Sequence, residues 1–208
     1  MDTFAEIADE RRGLADLLAG LTAEQLVVPS LCGEWNVLEV VAHLVVPLQV
    51  SIPRFALTML ACGGNFDRAN TRLARQQARR PYDELIDTLR RRAGSRFTPP
   101  GAGPEAPLTD LLVHGRDICW PLGLTHAVPA ERWRKPLSFL TTSAARGLVE
   151  PGLLDGLSLR ADDVDWSYGT GPRVSGDAEA LLLALTGRPV ALDHLDGECV
   201  ETLRSRMP

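Results

Sequence analysis

The sequence predicts a mainly helical protein, with a helical bundle over residues 1–150 and a small α+β module over residues 153–208. Three observations carry this. Helix-opening signals recur through the first 150 residues, and the apolar residues there repeat at helical spacing. After Pro151 the chain changes to short alternating runs separated by turn residues. The hydrophobic content of 45% over 208 residues is enough for a sizeable core.

The elements follow in order. Thr3 and Glu6 stand at capping-box spacing and open a first helix, whose apolar face is Phe4, Ile7, Leu14, Leu17 and Leu18; Gly20 ends it. Thr22 and Gln25 form a second box and start a short turn. The loop "VVPSLCGEW" follows. Asn36 and Glu39 form a third box, opening "VLEVVAHLVV". This segment is apolar nearly all round and belongs in the middle of the bundle. Pro47 removes the partner of the His43 carbonyl, so a kink is expected one turn past the histidine. A further helical piece runs from about Pro53 to Cys62.

Residues 66–79 and 81–93 read as two helical pieces divided at Arg80-Pro81. The stretch "GSRFTPPGAGPEAP" reads as a long loop. "LTDLLVHGRDICWPLG" is the next helix, closed by Gly123, and Pro129 starts another, with an interruption expected at Pro136. In the module, Leu157–Arg160 is expected to pair with Val164–Tyr168 as a hairpin. "DAEALLLALTG" is a compact helix. Trp35 is expected to plug the core, Trp120 and Trp133 to pack, and Trp166 to anchor the hairpin to the bundle.

Composition narrows the function classes. Net charge is −5, which gives no general attraction to nucleic acid. Residues 68–96 do hold nine arginines against three acids, but only Phe66 and Tyr82 lie nearby as aromatic platforms, so a solvated helix face is expected. The most apolar run, Val37–Ala61, is broken by charged and proline residues and reads as buried helix. No signal peptide is read at the N-terminus, and a cytoplasmic location is expected. Cys32, Cys62, Cys119 and Cys199 form no C-x-x-C pair, so they are expected to be reduced and partly buried.

The chemistry concentrates in few residues. Asp110 and His114 are four apart and share a helix face; His43 lies in another apolar helix. Converging on one ion, they would make a His, Asp, His site with an open position, suited to zinc, nickel, iron or manganese. The plainer alternative is a pair of core histidines with an i,i+4 hydrogen bond. Spacing leaves both open.

The stretch "LTAEQLVVPSLCGEWNVLEVVAHL" resembles the opening signature of the mycothiol-dependent maleylpyruvate isomerase family, a branch of the DinB-like helical bundles. The residues that carry the resemblance are Ser30, Cys32, Gly33, Trp35, Asn36, His43 and Leu44. Asp110, His114, Asp117 and Leu122-Gly123 resemble its second signature, and "LTGR" at 185–188 a motif of its C-terminal module. The resemblance implies a DinB-like four-helix bundle with His43, Asp110 and His114 as metal ligands. The family's acid is glutamate; Asp110 is shorter by about 1.5 Å. The resemblance further implies a divalent metal, zinc first, with mycothiol or a similar thiol as cofactor. A coordinating thiol is deprotonated and becomes a nucleophile. In the isomerase it adds to a conjugated double bond, the new single bond rotates, and elimination returns the trans isomer; related members resemble thiol transferases.

An arginine of the C-terminal module serves the family's anionic substrate. Arg188 is the candidate here, with Arg173 second. The expected partners are a small-molecule electrophile and the thiol. Neither nucleic acid nor membrane is expected, and a homodimer is compatible with the sequence. The rival reading is a non-catalytic metal-binding or regulatory bundle.

Overall fold

The computed structural model describes residues 2–207. Helix α1 spans Thr3–Leu18, α2 Ala23–Leu26, α3 Val37–Gln49, α4 Ile52–Ala61, α5 Phe66–Gln77, α6 Tyr82–Arg91 and α7 Glu105–Cys119. Helix α8 spans Ala130–Leu140, α9 Ala178–Leu185 and α10 Val200–Arg206. Strands β1 Ser158–Ala161, β2 Ser167–Gly169, β3 Arg173–Gly176 and β4 Leu195–Asp196 make one small sheet. The fold is mainly α with a C-terminal α+β part.

The chain divides into two compact units. One runs to Phe97 and resumes over Asp110–His126. The other takes Thr98–Thr109 and the chain from Ala127 onward. Helix α8, read from sequence as the end of the bundle, therefore groups with the second unit.

In the first unit, α3 packs against α5 and α6, and α1 against α6. Its core is aliphatic: Ile7, Leu14 and Leu18 from α1, Val37, Val40, Val41 and Val45 from α3, Leu73 from α5, Leu85 and Leu89 from α6, and Ile118 from α7. Gly115 lets α7 approach Leu14 of α1. The helix starts are fixed locally. Asp2, not Thr3, caps α1, its carboxylate accepting from the Phe4 amide. The Thr22–Gln25 and Asn36–Glu39 capping boxes are both formed. Helix α3 continues past Pro47 to Gln49. The long loop is shorter than expected, because Glu105, Ala106 and Pro107 already form the first turn of α7, where a proline is tolerated.

Several arginines in α5, in α6 and in the turn between them meet carboxylates: Arg75 with Glu39, Arg80 with Glu84, Arg90 with Asp16 and Arg91 with Asp87. No helix among the described residues is long and apolar enough to cross a membrane.

In the second unit, the sheet order is β2-β1-β3-β4. The expected hairpin forms, but its second strand starts later: Leu159 pairs with Tyr168 antiparallel. Acidic residues before it make the turn instead, and Asp163 Oδ1 accepts from the Ala178 amide at the start of α9. Strand β3 adds parallel to β1, and β4 antiparallel to β3. Leu159, Val174, Leu181, Leu182, Leu183, Leu192 and Leu203 fill this core. Helix α8 continues through Pro136, and Trp166 anchors the hairpin to it by donating to Ser138 Oγ at 3.1 Å.

Candidate metal centre

Helix α7 places Asp110 and His114 one above the other, and α3 brings His43 to the same point. His43 Nε2 lies 3.2 Å from Asp110 Oδ1, and His114 Nε2 lies 3.5 Å from the same oxygen. The two imidazoles stand edge to face, centroids 4.6 Å apart. One donor atom from each of the three residues falls within a 4.8 Å cluster. A tetrahedral ion with bonds of about 2.0–2.2 Å holds neighbouring donors about 3.4 Å apart. The shorter Asp110 thus reaches both histidines.

The surroundings fix the orientation. His114 Nδ1 donates to Asp117 Oδ2 at 2.8 Å, which turns Nε2 toward Asp110 and His43. Asp117 is fully buried (0% exposed). His43 is 6% exposed, and its Nδ1 has no hydrogen-bond partner. Two imidazole nitrogens and a carboxylate oxygen at this spacing are the donor set that zinc and similar divalent ions take. On these grounds the residues fit a divalent ion.

The Asp110 carboxyl is held at about 2. Burial pushes it up, but the charges of His43 and His114, the His43 hydrogen bond and the Arg11 guanidinium outweigh that. Its side chain keeps 39% exposure, so the centre is open on that side. Arg11 is itself buried and donates to the carbonyls of Ala93 and Ser95, both at 2.9 Å. Burial lowers its pKa, and Asp110 opposes that shift.

A tight loop forms one wall. Ser30 Oγ donates to the Trp35 carbonyl and accepts from the Cys32 amide, and Gly33 takes a positive φ of 55°. The Leu31 amide bonds the Asp117 carbonyl, pinning this loop to α7. Trp35 is half-buried, its ring centroid 5.2 Å from His43 and 6.4 Å from His114. It faces the centre instead of plugging the core.

A sequence profile described as the mycothiol maleylpyruvate isomerase N-terminal domain matches residues 7–119. The chain belongs to the mycothiol maleylpyruvate isomerase family. The match spans the loop, α3 and all of α7. No curated protein gives a significant match. Two similar solved structures are the mycothiol-dependent maleylpyruvate isomerase and a mutant of it, with TM-scores of 0.64 and 0.61. Each is 15% identical, and each alignment covers 95% of this chain and 92% of the other. They establish a shared fold.

Within this family frame, the structure gathers His43, Asp110 and His114. Arg188 belongs to the second unit, half-buried just after α9, where it donates to the Thr186 carbonyl. Arg173 opens β3 and is exposed. Sequence reasoning gave no role to Cys32 or to Arg11. Cys32, His114 and Asp117 form a second donor cluster within 4.8 Å. The signal for Cys32 lay in its Gly-x-Trp turn; nothing local marked Arg11.

Proposed function

We propose that this chain is an enzyme: a divalent-metal- and thiol-dependent isomerase or S-transferase acting on a small electrophile. His43, Asp110 and His114 hold the ion, zinc first, and mycothiol or a similar low-molecular-weight thiol is the cofactor. The observation that carries this reading is the approach of both Nε2 atoms to a single carboxylate oxygen, at 3.2 and 3.5 Å, in a chain of this family.

The chain's own residues have separable tasks. Asp117 keeps the proton on His114 Nδ1, leaving the Nε2 lone pair for an ion. Asp110 stays a carboxylate at neutral pH and balances part of the ionic charge. Trp35 shields one side from water, and the exposed side of Asp110 leaves the approach for ligands. When bound, the ion acidifies a coordinating thiol, giving a nucleophile at neutral pH.

Two measurements test the reading. Protein purified without a histidine tag is expected to carry about one divalent ion per chain by the four-coordinate, three-protein-ligand logic of such sites. His43→Ala and His114→Ala each remove it. Retention of the ion in both variants refutes the ligand set. Titration of mycothiol into cobalt-substituted protein is expected to shift the visible spectrum as sulfur enters the coordination sphere. Loaded protein with no such response, and no turnover of maleylpyruvate with mycothiol, favours a binding module.

A further inference from the structure

Cys32, His114 and Asp117 offer a sulfur, a nitrogen and an oxygen within 4.8 Å of one another. The set is built, not incidental. Asp117 is fully buried, and the loop that carries Cys32 is tied to α7 through the Leu31 amide and the Asp117 carbonyl. Cys32 forms no disulfide and is half-buried. The neighbouring ligand set has nitrogen and oxygen donors only; this one adds a thiol.

We propose that Cys32, His114 and Asp117 form a second, thiophilic metal site that competes with the His43–Asp110–His114 centre for His114. Soft ions such as cadmium or copper(I) favour a thiolate donor, whereas the neighbouring set suits harder divalent ions. A neutral imidazole has one lone pair, so His114 serves one of the two ions at a time. Binding of a dication through His114 Nδ1, the nitrogen 2.8 Å from Asp117 Oδ2, moves the ring proton to Nε2 and releases the Cys32 thiol proton to solvent, and the carboxylate of Asp117 and the thiolate neutralise the ion's charge. The chemical consequence is selective poisoning: a thiophilic ion takes His114 away from the centre proposed above.

Cadmium titration tests this, with the thiolate-to-cadmium charge-transfer absorption as readout. The metal-free protein and its His43→Ala variant are both expected to develop this band with one equivalent of cadmium. Cys32→Ser is expected to lose the band and to bind cadmium at least tenfold more weakly, with its helical circular dichroism unchanged. Adding cadmium to cobalt-loaded protein is expected to release cobalt, and Cys32→Ser to resist that release. A band that persists in Cys32→Ser places the sulfur elsewhere and overturns the site. A band lost in His43→Ala shows that Cys32 belongs to the first centre, which also overturns a separate site. Because His43→Ala dismantles the first ligand set and spares the second, failure of one reading is distinguishable from failure of the other.

Discussion

His114 Nδ1 donates to Asp117 Oδ2 at 2.8 Å, and that one bond decides which nitrogen faces His43 and Asp110. A carboxylate behind a ligating imidazole fixes its tautomer and raises its basicity, and losing it costs about 10–100-fold in metal affinity. Asp117→Asn, the variant nearest in shape, is expected to lower zinc affinity by about that factor in competition with a chelator. An affinity equal to that of the unaltered protein would remove the orienting role.

Arg11 is a charge inside the bundle, satisfied by the Ala93 and Ser95 carbonyls at 2.9 Å. Arg11→Met keeps most of the volume but leaves both carbonyls without this donor. The expected loss is about 2–4 kcal/mol from two charge-assisted bonds, read from urea unfolding. The same variant is expected to weaken metal binding little, because Arg11 is no ligand.

The start of α3 rests on Asn36, whose Oδ1 accepts from the Glu39 amide at 2.9 Å while Glu39 Oε2 accepts from the Asn36 amide. Asn36→Ala is expected to cost about 1 kcal/mol and Asn36→Asp much less. Thermal unfolding separates them. Equal losses would mean that the cap contributes little here.

Tyr82 gives a pH dependence. Burial raises its pKa above the ordinary phenol value, and its Oη donates to the Leu18 carbonyl at 2.7 Å. With the folded value above the unfolded one, the contribution is complete below pH of about 10 and is lost as pH rises toward the folded value. Unfolding midpoints are expected to fall from pH 9 to pH 11 (both approximate bounds on the phenol range). Tyr82→Phe is expected to be less stable at neutral pH and to show a flatter alkaline decline. A decline of unchanged steepness would assign the effect to other groups.

Much of this architecture was legible because its signals are local. The Thr22–Gln25 and Asn36–Glu39 boxes name their own helix starts, and Asp110 and His114 share a face by spacing alone. Strand β3 was not legible: "RVSG" has no alternation, and its partner β1 lies parallel to it, without the short hairpin turn that marks an antiparallel pair. Trp35 was misread because an aromatic after a tight turn packs as readily in a core as against a ligand pair; only the tertiary position of the loop decides. Asp117 appeared in a motif, but its bond to His114 depends on rotamers, not on spacing. The meeting of His43 with α7 came from family resemblance, since no periodicity links residues so distant in the chain.

The indole of Trp35 sits 5.2 Å and 6.4 Å from the two imidazole rings. That proximity gives the molecule an intrinsic optical gauge. Its emission is sensitive to charge and to quenching ions at this distance, so a chain keeping Trp35 while Trp120, Trp133 and Trp166 are replaced by phenylalanine would signal occupancy of the neighbouring imidazoles by a change in fluorescence, with no dye attached.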